Sequence, residues 1–455
     1  MPEPLTRPDT TLFATVAAKL RAHPWIGHAE PTDAGVRIHP AAHLLATAPV
    51  PGALVTEYLE HWSEVYQLTY GAAPRDVAGD LDLSGWRASD TGEPLSTVHM
   101  RQWVERTVDL IAGLRPEWIL ELGCGTGMLL HRLAPLVQGY VGTDVVADSV
   151  HPLPSVPGTL KTVRAAAHET DAPVVSSAMA AAGFPAAGPD CVVLNSVTQC
   201  FPDTGYLDAV VRAAVRTVAP GGYVVIGDNR HAGLHTEFST WVERRRGTGP
   251  DLADRAEARA ARDEELLFDP VALARIAAKA GAGAGREIRI ATFPKLLDAD
   301  SELTRYRFDC VLAVDPAFPT ADPRPLRWPD VADRLDTVLD GSGVRIPDIP
   351  NGALPDAPGS SITAARLATL VARNDASVTL AAHDPRLLEV VSPASAAWRP
   401  AAEVAALPGG NTHEPLRRFA LQRLRATARA CLRDLPGARG VTVEVDPAPH
   451  PASTS

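Results

Sequence analysis

Two acids and three glycines carry the first chemical signal in this chain. Glu121, Gly123, Gly125 and Gly127 occupy alternate positions of Ile-Leu-Glu-Leu-Gly-Cys-Gly-Thr-Gly (119–127), and Asp144 follows seventeen positions after Gly127. Glycines so spaced let the backbone turn sharply and approach a ligand with no Cβ in the way. A helix that starts just after them turns unpaired N–H groups toward that ligand. Asp144 ends a second apolar run, Tyr140-Val-Gly-Thr-Asp, where a carboxylate can take both hydroxyls of a ribose. The turn is not the Gly-x-Gly-x-x-Gly of dinucleotide folds, and Glu121 suits a cationic ligand better than a pyrophosphate.

These residues need elements to hold them. Trp118, Ile119, Leu120 and Leu122 form a run long enough for a buried strand and too short for a helix, and 128–134 predicts the helix that follows. Asp190-Cys-Val-Val-Leu-Asn195 predicts another buried strand, 206–218 a helix, Pro220-Gly-Gly a tight turn, and 223–227 a strand with Asp228 just beyond it. Alternating strands and helices with short turns predict the α/β class, with a doubly wound, Rossmann-like parallel sheet. Ligands of such sheets bind beyond the carboxyl ends of the strands. Glu121, Asp144, Asn195 and Asp228 all fall near ends of that kind, so one sheet edge collects the polar candidates.

Upstream, the spacing predicts helices over 11–22, 54–70 and 100–114, stopped at Pro24, Gly71 and Pro116, with a strand near 35–39 and a loop over 76–98. Downstream, the charged stretch 241–265 suits an exposed helical lid, and 288–293 and 308–314 suit the last strands. The proline-rich 316–329 predicts a semi-rigid linker. Beyond it lie a strand at 344–346, helices near 362–372 and 416–435, a strand at 441–445 and a disordered tail of ten residues.

The whole chain sets bounds. At 455 residues it exceeds one ordinary domain. A net charge of −11 argues against nucleic-acid binding through a basic surface. The five cysteines include no Cys-x-x-Cys pair, which suggests reduced thiols and a cytoplasmic location. No signal peptide and no apolar run of about 20 residues is present, so a membrane location is not expected.

The 119–127 motif and its downstream acid resemble motif I of the class I S-adenosylmethionine (SAM) methyltransferases. Further motifs resemble the methyltransferase domains inserted in adenylation domains of nonribosomal peptide synthetases. They are Val-Gly-Thr-Asp (141–144), Val-Leu-Asn-Ser-Val-Thr-Gln-Cys-Phe-Pro (193–202), Ala-Pro-Gly-Gly-Tyr-Val-Val-Ile-Gly-Asp (219–228), Ser-Asp-Thr-Gly-Glu-Pro (89–94), Asp-Glu-Glu-Leu-Leu-Phe-Asp-Pro (263–270) and Glu-Leu-Thr-Arg-Tyr-Arg-Phe-Asp (302–309). Asp90 and Cys200 stand where that family favours Tyr, and Asn229 where it favours Val. The resemblance implies a methyltransferase domain over 51–315. On either side it implies small α+β remnants of an adenylation subdomain, at 1–50 and 330–455, without the ATP-binding core. It further implies SAM as cofactor, held by Glu121, Gly123, Cys124, Gly125, Thr126, Gly127, Asp144, Asn195 and Ser196. The expected acceptor is the α-amine of an amino acid, free or as a carrier-protein thioester. O- or C-methylation of a small metabolite and a non-catalytic docking module stay open.

The acceptor-side candidates each have a plainer alternative. Asn195 and Gln199 could hold the acceptor, or Asn195 could cap its strand. Asp228 could align the acceptor or serve as a turn residue. Glu302 and Tyr306 could orient the acceptor or take its proton, or Glu302 could pair with Arg305 or Arg307. Tyr70 and Trp86 could cover the cofactor or simply pack. His231 and His235 lack a third ligand for zinc. An arginine face (Arg417, Arg418, Arg425, Arg429, Arg433) could dock an acidic peptidyl carrier protein or stay solvated.

Overall fold

A computed structural model of the chain describes residues 10–47, 50–71, 81–146, 159–319, 322–339 and 343–449. In order come α1 (Thr10–Arg21), β1 (Ile26–Pro31), β2 (Gly35–Pro40), α2 (Ala53–Gly71), α3 (Thr97–Gly113), β3 (Trp118–Leu122), α4 (Leu130–Leu133), β4 (Gly139–Asp144) and β5 (Thr159–Arg164). Then follow α5 (Pro173–Ala181), β6 (Cys191–Asn195), α6 (Thr204–Thr217), β7 (Tyr223–Arg230), α7 (His235–Arg246), α8 (Leu252–Ala260), β8 (Leu267–Phe268), α9 (Pro270–Ala284), β9 (Ile288–Pro294), α10 (Glu302–Tyr306) and β10 (Arg307–Val314). The chain closes with β11 (Arg324–Pro325), α11 (Trp328–Val331), α12 (Leu335–Leu339), β12 (Val344–Pro350), α13 (Ala364–Val371), β13 (Ser377–Leu380), β14 (Leu387–Ser392), β15 (Arg399–Pro400), α14 (Ala401–Ala405), β16 (Thr412–His413), α15 (Pro415–Leu432) and β17 (Thr442–Val445). No helix among the described residues is long and apolar enough to cross a membrane.

The contacts divide the chain at other places than the sequence suggested. One compact unit runs from Ser63 to His413; the other joins the residues up to Trp62 with those from Glu414 on. In the second unit β17 lies parallel to β2, and β1 and β2 form an antiparallel hairpin. Val16, Leu20, Val36, Ile38, Leu424 and Ala428, all fully buried, form its core. This alternation of apolar positions on α1 and α15 is what makes both helices turn one face inward.

The larger unit holds an eight-stranded sheet in the order β15-β9-β10-β7-β6-β3-β4-β5. β7, β6, β3, β4 and β5 run parallel; β10 is antiparallel to both neighbours and β15 to β9. The chain therefore winds outward from β3 in both directions, which leaves a crevice at the carboxyl ends of β3 and β6. α3 covers one face through Met100, Trp103, Val104 and Ile111, packed on Ile119, Tyr140, Cys191, Val193 and Val225.

Four expectations need correction. The helix expected from Met128 is a single α-turn, Leu130–Leu133, passing into a 3-10 turn at Ala134–Leu136, because Pro135 cannot donate to the helical ladder. The strand expected to end at residue 227 continues to Arg230, paired with β10 past a register shift. The charged stretch 241–265 is helical but not exposed throughout: Val242 and Glu243 on α7 and Ala256 on α8 are buried. The 316–329 segment is not a boundary, because β11 pairs with β12 and Trp328 and Val331 are buried, while residues 320–321 lie outside the described set. The end of the expected tail, 450–455, also lies outside it.

Candidate active site

The 123–127 loop gets its shape from backbone angles that only glycine adopts freely. Gly123, Gly125 and Gly127 have φ of +77°, +52° and +89°. A Cβ on Gly123 would collide with Val197, and one on Gly125 would stand 3.0 Å from the Tyr70 hydroxyl. The amides of Gly123 and Cys124 donate to the Thr143 carbonyl at 2.7 and 2.8 Å. The Gly125 amide donates to one oxygen of Asp144 at 2.9 Å, and the Val146 amide to the other at 2.8 Å. The loop is thereby fastened to the tip of β4. Each Asp144 oxygen keeps acceptor capacity for a hydroxyl donor. Burial pushes the Asp144 carboxyl above its usual range against the pull of those amides.

Glu121 lies just behind the loop, 3% exposed, and accepts the Tyr140 hydroxyl at 2.7 Å. Burial raises its pKa to about 7. Cys124 and Thr126 are buried too, and the Cys124 sulfur sits against Gly142, leaving its backbone as the part that faces the loop.

Asn195 closes β6 beside the loop. The register pairs Glu121 with Val193 and Asn195 with Gly227, so Asn195 and Glu121 share the sheet face that α3 covers. The Asn195 side chain lies over Gly227, where a Cβ would collide with its Oδ1. That oxygen is buried and accepts no hydrogen bond. The Gln199 Nε2 donates to the Ser196 carbonyl at 2.7 Å, which fixes the amide and leaves its Oε1 buried without a partner. Two unsatisfied buried oxygens within five residues are costly unless a ligand donates to them.

Asp228 has a different setting from the one expected. It is fully buried with φ +62°, at the register shift between β7 and β10, and is no turn residue. Its Oδ1 accepts the Trp103 indole N–H at 2.8 Å, and Lys295 Nζ is 3.4 Å away. Its Oδ2 accepts the Ser196 hydroxyl at 2.7 Å and Arg307 Nη1 at 2.9 Å. The Asp309 carboxylate takes the Asp228 amide at 2.7 Å and Lys295 at 2.6 Å. Two carboxylates and two cations are thus interleaved. Burial alone would raise the Asp228 carboxyl, yet Arg307 and Lys295 hold it below the usual range.

Glu302 meets neither Arg305 nor Arg307. Arg305 is bidentate on Asp300, and both Glu302 oxygens are taken by Ser89, from its amide and its hydroxyl, each at 2.9 Å. Tyr306 belongs to an apolar cluster with Leu234, Phe238, Val242 and Leu354. Trp86 packs on Trp103, ring centres 4.6 Å apart, while Tyr70 pairs with Tyr66 at 5.6 Å. Cys200 donates to the Tyr66 hydroxyl at 3.5 Å. His235 binds Asp263, and His231 is buried with its pKa lowered by that burial to about 4. No group of three metal-ligating side chains converges among the described residues. On α15 Arg417, Arg425 and Arg429 are exposed, as is Arg433 just past its end.

Sequence reasoning missed Trp103, Lys295, Asp309, Ser89 and Tyr140 as polar partners, and offered Arg307 to Glu302 where its partner is Asp228. One signal was present: Arg307 and Asp309 stand two apart on a strand, hence on one face. The others depend on contacts across 14 to 213 positions, which local spacing does not encode.

A sequence model described as a methyltransferase domain matches residues 97–282. Chondramide synthase cmdD of Chondromyces crocatus is 31% identical over 323 residues, which cover 66% of this chain and 8% of that protein. The probable non-canonical nonribosomal peptide synthetase CymA of Salinispora arenicola (strain CNS-205) is 32% identical over 295 residues, 64% of this chain and 4% of its own. The beauvericin nonribosomal cyclodepsipeptide synthetase of Beauveria bassiana is 28% identical over 335 residues, covering 68% and 10%. The chain therefore spans a tenth or less of these relatives.

Proposed function

We propose that this chain, whose residues 97–282 match a methyltransferase-domain model, is a class I SAM-dependent methyltransferase that N-methylates the α-amine of an amino acid in nonribosomal peptide biosynthesis. The acceptor is a free amino acid or its carrier-protein thioester. The observation that carries this reading is the pair of buried, unpartnered oxygens, Asn195 Oδ1 and Gln199 Oε1. Both are acceptors, so they suit a nucleophile that keeps N–H groups to donate while its lone pair stays free.

The residues present fit SAM. Asp144 suits the ribose hydroxyls, the open backbone of 123–127 suits close approach, and Glu121 suits a cationic amine. Bound SAM would supply a methyl carbon activated by its sulfonium, open to in-line attack. The chain's own work is then to align and to exclude water. Trp86, Tyr66 and Tyr70 offer apolar cover. Asp228 and Glu302 have their oxygens engaged, so the amine loses its proton to water before attack, and turnover rises toward alkaline pH. The compact unit that joins the residues up to Trp62 with those from Glu414 on corresponds, on the same reading, to part of an adenylation subdomain.

The test offers free amino acids and their carrier-protein thioesters in parallel with SAM and locates the methyl by fragmentation mass spectrometry. N-methyl product is expected. A methyl on oxygen or carbon overturns the amine assignment.

A further inference from the structure

Residues 86–95 form a small hairpin. The Leu95 amide donates to the Trp86 carbonyl at 2.9 Å, the Ala88 amide to the Glu93 carbonyl at 2.9 Å, and the Gly92 amide to the Ala88 carbonyl at 2.8 Å. Arg87 pairs with Pro94, and its guanidinium donates to the Gly92 carbonyl. The hairpin is thereby tied internally.

Its tip is gripped from two sides. From α10, Glu302 accepts both the amide and the hydroxyl of Ser89. From the end of α7, Arg246 donates to the carbonyls of Ser89 at 2.8 Å and Asp90 at 3.0 Å, and Arg245 pairs with the Asp90 carboxylate at 2.6 Å. Its base reaches the site through Trp86, packed at a tilt of 57° on Trp103, whose indole N–H bonds to Asp228, which in turn holds Ser196. Asn195 and Gln199 flank Ser196 in the chain, and Gln199 bonds its carbonyl.

We propose that Glu302 is a positioning residue that latches the 86–95 hairpin shut as one wall of the acceptor side of the site. A buried carboxylate has large desolvation to offset, and two donors from one residue offset it only while that residue stays in place. Glu302 therefore favours the closed hairpin over any open form. Asp90 belongs to the same latch, so it acts through the arginines of α7 and not on the acceptor. The inference rests on the amine reading only for which atoms the wall faces.

Hydrogen exchange on the full chain tests it without any acceptor. Glu302→Gln and Ser89→Ala should each speed amide exchange over 86–95 by about tenfold, the loss expected for a hydrogen bond to a charged group. The double variant should add little to the larger single effect, because one contact is being removed twice. Exchange over 119–127 should stay at wild-type values, which shows that each variant folds. With whichever acceptor the methylation assay turns over, Ser89→Ala should lower kcat in the same direction as Glu302→Gln, with both pH profiles unchanged in shape. Unaltered exchange over 86–95 in Glu302→Gln overturns the latch. So does full turnover of Ser89→Ala beside a dead Glu302→Gln, or loss of the alkaline rise in Glu302→Gln alone, since either assigns Glu302 to proton transfer. Failure to methylate any amine counts against the amine reading and leaves the exchange result standing.

Discussion

Glu121 is where the stability of the fold and the proposed cofactor site meet. Its carboxyl would titrate near 4.5 in the unfolded chain and titrates at about 7 in the fold, because burial disfavours the charged form. Between those values the folded state holds a proton that the unfolded state has lost. Stability therefore falls as pH rises from about 4.5 to about 7, by about 3 kcal/mol if no other group compensates. A cationic ligand beside Glu121 favours the ionised form. SAM affinity should accordingly rise with pH through about 7, with proton release on binding. Calorimetry in buffers of different ionisation enthalpy reads that proton, and urea denaturation at pH 5 and 8 reads the stability slope. Glu121→Gln should abolish both, and a wild-type pH dependence in that variant would falsify the assignment.

At the level of the element, the register shift between β7 and β10 does the organising. It turns Asp228 into the sheet's interior with φ +62° and brings Arg307, Lys295 and Asp309 around it. The network ties β7 to β10 directly, to α3 through Trp103 and to the end of β6 through Ser196. Removing one partner of such a cluster leaves the others buried and uncompensated, which costs about 3–5 kcal/mol. Asp228→Ala should lower stability by that much in urea denaturation, with Asp228→Asn costing less because the indole and hydroxyl keep an acceptor. A loss under about 1 kcal/mol for Asp228→Ala would mean that the charges find water instead.

For the whole molecule, the sheet does not stop at β10. β15 adds to the β9 edge, and Val391, Ala396 and Ala397 pack on Ala291. Trp398 bridges the two parts, with ring centres 5.6 Å from Tyr223 and 5.8 Å from Phe318. Residues 322–413 thus share a core with the methyltransferase sheet. Trp398→Ala should destabilise that unit by about 2–3 kcal/mol. In differential scanning calorimetry the transition that shifts should be the one SAM raises, since a ligand stabilises only the unit that binds it. A shift confined to a transition indifferent to SAM would separate 322–413 from the methyltransferase unit.

The sheet and the edge that gathers Glu121, Asp144 and Asn195 were legible in the sequence because they rest on local pattern. A short apolar run, alternate glycines and an acid at the next strand's tip determine each other through backbone geometry over some 25 residues. The strands ending at Asn195 and the helices 54–70 and 100–114 follow from the same periodicities. What local pattern does not hold is partner choice. Nothing near Glu302 distinguishes Arg305 from Ser89, 213 positions away, and the choice fell to whichever donors the fold brought to a buried carboxylate. The same reason applies to Asp228, whose surroundings come from α3, β6 and β10 together. Prolines at 316–329 suggested a break, yet covering the apolar edge of β9 keeps the following 84 residues (330–413) in the same unit. Sequence determined which sheet edge gathers Glu121, Asp144 and Asn195; tertiary structure decided which polar groups remain free there.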